Sequence, residues 1–268
     1  MKQLLESAPA TEGEGEGQVD RLNTELKQQL AERTSELQAL RAEGDAFAHS
    51  IAHDLRGPLM HISGFAELLA GHSAAQLDDK GRQYLQTIIA SSDLLAQMIA
   101  DLRAFEKLNR ARMQPILIDP GVLVREVARE LAPAARHQQV IWQIEDLPAV
   151  HADPVLLRLA ITSLVANALK FTQPRVLARI QVGSRCVGAE TIFFVRDNGV
   201  GFDMAHAGKL FGLFQRLHDV TAFPGHGVGL AGVRRIIQRH GGRTWAEAVP
   251  EEGATFYFSL PETAPDPT

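Results

Sequence analysis

His53 is followed directly by Asp54 in the stretch Phe47-Ala48-His49-Ser50-Ile51-Ala52-His53-Asp54-Leu55-Arg56-Gly57-Pro58-Leu59. A neutral imidazole nitrogen can attack phosphorus, and a neighbouring carboxylate can orient the ring or take its other proton. Phe47, Ile51 and Leu55 recur at four-residue intervals and span about 80° of a helix, which places His53 on the opposite, solvent side. An exposed imidazole is equally the ordinary state of a surface histidine, and this chain has 10 histidines. A second stretch, Asn167-Ala168-Leu169-Lys170-Phe171-Thr172, offers an amide oxygen suited to Mg²⁺ and, on the same helix face, an ammonium suited to phosphate. Taken alone it is a polar helix end. A third, Asp197-Asn198-Gly199-Val200-Gly201-Phe202, follows an apolar strand. Its glycines permit a sharp turn and close backbone approach, and Asp197 can accept a hydrogen bond from an exocyclic amine. The plain alternative is a strand ending in a glycine turn. A fourth, Gly225-His226-Gly227-Val228-Gly229-Leu230, opens a helical pattern and can present backbone N–H groups to phosphate oxygens.

Between the last two stretches, Met204 to Pro224 has the length of a lid over a bound ligand, with Lys209 and Arg216 available to anionic groups. A surface loop anchored by aromatic residues is the simpler reading. His240-Gly241-Gly242 and Gly253-Ala254-Thr255-Phe256 return the chain to strands.

Elements must hold these residues in place. Leu22, Leu26, Leu30, Leu37, Leu40, Phe47 and Ile51 form one narrow apolar stripe on a helix, the pattern of a parallel two-stranded coil. The helix is expected to continue to about Ala70. A second helix is expected from Asp78-Asp79-Lys80 to Arg110, with Leu85, Ile88, Ile89, Ser92, Leu95, Ile99, Leu102 and Phe105 on one face. After Met113 the pattern predicts strands at 115–118, 140–144, 176–185, 191–197, 243–248 and 255–259. Helices are predicted at 120–137, 154–169 and 228–240, giving an α+β sandwich. Glu12 to Gly17 alternates Glu and Gly and reads as a loose linker.

Composition narrows the function classes. The chain has 268 residues and formal charge -5. The first 45 residues carry all of that charge, so the body is neutral and offers no broad basic face for nucleic acid. Cys186 stands alone and closes no intrachain disulfide, which favours a reducing, cytoplasmic setting. The most apolar stretch, 154–171, contains Arg158 and Lys170 and is not read as a membrane span. The N-terminus has no apolar signal region.

In order and spacing, these stretches resemble the phosphoacceptor and ATP-binding boxes of the sensor histidine kinases of two-component systems. The wording from Asp197 to Leu260 is similar to the kinase modules of bacteriophytochrome-like proteins. The resemblance implies an all-α helical hairpin, dimerising as a four-helix bundle with an N-terminal coiled coil, followed by an α+β sandwich of the Bergerat ATP-binding type. It implies a linker at 1–18, a coiled-coil signalling helix at 19–45 and a dimerisation and phosphotransfer domain at 46–112. A catalytic domain at 113–260 and a frayed tail at 261–268 complete it. His53 is then the phosphoacceptor and Asp54 its base or orienting group. Asn167, Lys170, Asp197, Gly199, Gly201, Lys209, Arg216, Gly225, Gly227, Gly229, Leu230 and Thr255 are expected at ATP, with Asn167 holding its Mg²⁺. The partners implied are a second copy of the chain and a response-regulator receiver domain. With the hairpin and ATP domain using nearly all residues, the input is expected from a separate sensor protein or a part of the gene product outside this chain.

Three positions depart from the family pattern. Ser163 stands where a second Asn is common, His226 where Thr is common, and Gly57 where phosphatase-competent members carry Thr or Asn. Gly57 points to weak phosphatase activity. Ser163 and His226 are the only support for an alternative reading, a pseudokinase scaffold that dimerises and signals by contact.

Overall fold

The computed structural model describes residues 11–73, 76–110, 112–135, 138–219 and 222–262. The chain divides into two compact units, Met1–Pro58 and Leu59–Thr268. Helix α1 (Thr11–Ser73) runs through the boundary, and Pro58 lies inside it without ending it. The expected linker at Glu12 to Gly17 is instead the first turns of α1. Helix propagation adds one hydrogen bond per residue once a nucleus exists, and Glu12, Glu14 and Glu16 suit the positive end of the helix dipole. Residues 1–10 of that linker lie outside the described residues, as do 263–268 of the expected tail. Pro261, assigned to the tail, closes a strand.

In the first unit, Leu26 and Leu30 are exposed. In the second, the end of α1 and helix α2 (Asp79–Arg110) form the hairpin, where Ser92 Oγ donates to the Leu59 carbonyl at 3.4 Å. Leu59, Ala66, Leu85 and Ile99 are buried, while Ile88 and Leu95 on the predicted α2 face are exposed.

The α/β domain begins with strand β1 (Ile116–Ile118) and helix α3 (Pro120–Leu131). Asp119 caps α3 through the Gly121 N–H, with Pro120 pre-set for the first turn. A 3₁₀ turn, Ala132–Ala135, follows, so α3 ends earlier than the predicted 137; His137 itself lies outside the described residues. Strands β2 (Gln139–Ile144) and β3 (Val150–Ala152) precede helix α4 (Pro154–Phe171). β3 pairs antiparallel with β1 and was not predicted, because three residues are too short to show alternation. Strands β4 (Leu177–Val187) and β5 (Glu190–Asp197), helix α5 (Gly229–Arg239), and strands β6 (Thr244–Val249) and β7 (Gly253–Pro261) complete the domain.

The main sheet has the order β2-β4-β5-β7-β6, with β2 and β4 parallel and the other pairs antiparallel. One sheet face is covered by helices. α4 buries Leu156, Leu157, Ala160, Ile161, Leu164, Val165, Ala168 and Leu169 against it. Among the described residues α4 is the one helix long and apolar enough to cross a membrane, and those residues form part of the domain core. The Asp153 carboxylate caps α4 by accepting from the Val155 and Leu156 N–H groups, both at 3.0 Å.

Candidate functional site

Strand alternation puts the Asp197 carboxylate where it is. Phe193, Val195 and Asp197 follow one another on the core face of β5, and Asp197 lies opposite Ala254 of β7. Its Oδ1 accepts the Gly199 N–H at 2.8 Å, while Oδ2 is buried with no hydrogen-bond partner among the described residues. Burial pushes the carboxyl up to about 6, against the opposing pull of the Gly199 and Ala254 N–H groups. An acceptor of this kind, on a cavity wall, is suited to an amino group on a ligand.

The cavity it faces has a volume of about 570 Å³. Asn167 and Lys170 reach it from the exposed edge of α4, and Gly201 from the turn after β5. Gly201 has φ +60, and a Cβ there would stand 2.1 Å from the Val249 carbonyl oxygen, so only glycine fits. Lys170 Nζ lies 4.5 Å from the centre of the Phe171 ring and 3.5 Å from where a Cβ on Gly225 would stand. Burial, aided by the charge of Arg216, lowers its pKa.

Gly225, Gly227, Gly229 and Leu230 line the opposite wall and lead into α5. Asp side chains cap α3, α4 and the 3₁₀ turn Met204–Lys209, but Val228 at the start of α5 provides no side-chain cap. The first N–H groups of α5 are therefore left for a ligand, which is the arrangement that binds phosphate. Ser163 Oγ lies 2.6 Å from where a Cβ on Gly229 would stand, so α5 begins directly against α4.

Three expected ligand residues are placed elsewhere. Thr255 points to the outer sheet face, opposite Arg196, and accepts from Arg196 Nε at 3.2 Å. Ala254 and Phe256 on either side face the cavity instead, as period-two alternation requires. Lys209 is exposed and off the cavity wall, because its 3₁₀ turn packs inward through Ala207 and Leu210. Gly199 supports Asp197 from behind; a Cβ there would meet the Phe171 carbonyl oxygen at 2.6 Å. Arg216 does line the cavity, but its guanidinium donates to the Gly225 carbonyl and, at 2.6 Å, to that of Phe223. It braces the segment it was expected to extend from.

In the other unit, His53 lies on α1, with its side chain outside the described residues. Asp54 is exposed, with Oδ2 3.4 Å from Ser50 Oγ one turn earlier.

Comparison with known proteins agrees with both halves. Residues 45–111 match the family described as His Kinase A (phospho-acceptor) domain. Residues 152–264 match the Histidine kinase-, DNA gyrase B-, and HSP90-like ATPase family. The chain belongs to the sensor histidine kinases. It is 35% identical over 236 residues to the methanogenesis regulatory histidine kinase FilI of Methanothrix harundinacea, covering 88% of this chain and 26% of FilI. It is 30% identical over 234 residues to the phytochrome-like protein Cph1 of Synechocystis, covering 87% of this chain and 31% of Cph1. The chain thus spans between a quarter and a third of these relatives. A crystal structure of full-length ShkA in complex with AMPPNP is similar at TM-score 0.55 and 26% identity, over 81% of this chain and 46% of ShkA. The histidine kinase AdeS of Acinetobacter baumannii shares the fold at TM-score 0.55 and 18% identity, over 79% of this chain and 98% of that one.

Several residues at the cavity or behind its wall escaped sequence reasoning. Arg175 donates to the Asn198 and Gly199 carbonyls, at 3.0 Å each, and so clamps the first glycine turn. His218 is bonded to the Gly201 backbone and packs against Phe171 and Phe223, with ring centres 5.2 and 5.4 Å away. Burial lowers its pKa. No local pattern marks either residue, since both act on partners distant in sequence. Asp101 and Phe105 of α2 also line the cavity. Phe105 was legible as part of an apolar face, though not as a wall of this site.

Proposed function

We propose that the chain is the catalytic part of an ATP-dependent protein-histidine kinase that phosphorylates His53 and passes the phosphoryl group to an aspartate of a response regulator. One observation carries the nucleotide half of this reading: the buried Asp197 Oδ2, without a hydrogen-bond partner among the described residues, and the uncapped start of α5 line a single cavity. Asp197 would accept from the adenine amino group, and the glycine segment with Lys170 would hold the phosphates. Asn167 fits the one amide oxygen needed for a Mg²⁺ that keeps phosphate and water ligands. The metal would neutralise phosphate charge there.

At the acceptor, a ring nitrogen of His53 bonds to the γ-phosphorus as the bond to the ADP oxygen breaks. Asp54 would hold the other ring N–H, reaching around because adjacent helix positions project about 100° apart. Such transfers depend on positioning and charge neutralisation, which fits the small number of reactive side chains. A cytoplasmic homodimer is the proposed state, joined through the exposed apolar residues of the hairpin and through a coil at Leu26 and Leu30.

Incubation with γ-labelled ATP, Mg²⁺ and a panel of receiver domains tests this reading. His53→Gln should abolish labelling while nucleotide affinity is retained, and undiminished labelling of that variant overturns the assignment.

A further inference from the structure

Helix α2 belongs to the hairpin, yet it closes one side of the nucleotide cavity through Gln97, Asp101, Ala104, Phe105 and Leu108. These positions share one helix face. Asp101 is the charged residue among them. Its Oδ2 lies 2.7 Å from Nδ1 of His226, and the two side chains are 27% and 24% exposed. His226 sits between Gly225 at φ +140 and Gly227 at φ +73, just ahead of the uncapped start of α5. A second tie lies at the other end of α5, where Arg239 donates to the Leu108 carbonyl. Between them Gly232 leaves room for Leu108, whose Cδ1 is 3.6 Å from where a Cβ would stand.

This contact has consequences for the nucleotide. A carboxylate beside the glycine segment repels a polyphosphate, and a partly buried cleft screens that repulsion less than water does. The Nδ1–H of His226, donated to Asp101, is also withheld from phosphate. Both effects act in the same direction.

We propose that Asp101 is a latch: by binding His226 it docks α2 against the phosphate end of the cavity and lowers nucleotide affinity. α2 docking and nucleotide binding then oppose each other, and the coupling is reciprocal. A movement of α2 that parts Asp101 from His226 raises affinity for ATP. The proposal rests on the nucleotide reading of the cavity and on a residue, His226, where this chain departs from the family's common Thr.

The test is calorimetric titration of the full chain with a non-hydrolysable ATP analogue and Mg²⁺. Asp101→Ala, which removes charge and acceptor together, should tighten binding about fivefold or more, the lower range for coupled sites. His226→Thr should tighten it similarly, and the double variant should gain no more than either single one, since both remove the same contact. Asp101→Glu, which keeps charge and acceptor, should restore the original affinity. A purely structural role for Asp101 would lower the thermal midpoint and weaken binding. Unchanged or weaker binding in Asp101→Ala, or fully additive gains, overturns the latch. Absence of binding in the unsubstituted chain and every variant overturns the nucleotide reading itself.

Discussion

Asp197 shows how a single residue can serve a ligand at the expense of the empty fold. Its carboxyl is 4% exposed and titrates at about 6 rather than 3.8. A folded-state pKa raised above the unfolded value means stability is fully present below about 4 and lost as pH rises through about 6. The shift is worth about 3 kcal/mol at neutral pH, at about 1.4 kcal/mol per unit. Asp197→Asn should therefore raise the thermal midpoint of the nucleotide-free chain at pH 7.5, with the gain shrinking to about a third at pH 4.5 and vanishing only below about pH 4. The same variant turns an acceptor into a donor facing an amine, and its ATP affinity should fall by about tenfold or more. A variant that is no more stable at pH 7.5 than at pH 4.5, relative to the parent, contradicts this account. Arg216 makes the complementary point. Its charge and its place in the segment between the glycine stretches suggest a phosphate ligand, but its bonds to Phe223 and Gly225 make it a brace of that segment.

Among the elements, α4 and α5 are joined by His240, which is 0% exposed. Its Nε2 accepts the Asp153 N–H at 2.9 Å and its Nδ1 donates to the Ile236 carbonyl at 2.8 Å, so the ring is neutral in one tautomer. Protonation would set a second donor against the Asp153 N–H. Burial holds its pKa below the ordinary imidazole value. A depressed folded-state pKa gives stability that is present above about 6.5 and lost as pH falls below it. His240→Ala should cost about 3 kcal/mol in urea denaturation at pH 7.5, from the cavity and the orphaned donor together. The gap between parent and variant should narrow towards pH 5. A constant gap would show that the imidazole proton plays no part.

For the whole molecule, the exposed apolar residues of the hairpin call for a partner. Met60, Phe65, Tyr84, Ile88 and Leu95 are exposed, while Leu59, Ala66, Leu85 and Ile99 are buried within the single chain. Water contact over so much apolar side chain is unfavourable, and the proposed pairing of two hairpins as a four-helix bundle would remove it. Phe65→Glu should convert the proposed dimer into a monomer in sedimentation velocity without changing the ATP affinity of the α/β domain. A dimer of unaltered stability in that variant would place the interface elsewhere.

The sequence by itself determined most of the elements and the identity of the boxes, because helical and strand periods are local properties. The stripe from Leu85 to Phe105, the capped starts at Asp119 and Asp153, and the inward row Phe193, Val195, Asp197 all follow from neighbours a few residues apart. The outward turn of Thr255 was legible too, from the inward apolar pair Phe256 and Phe258 with the period of two, although the family resemblance drew it into the ligand set. The glutamate and glycine run at Glu12 to Gly17 was misread because composition alone does not report a helix propagating from downstream. Tertiary structure decided the rest. Lys209 was turned away by packing beneath its 3₁₀ turn, Arg175 was brought to the first glycine turn, and Asp101 was set against His226 across 125 positions of sequence. Those approaches depend on how separate elements pack, and no periodicity within one element records the distance to another.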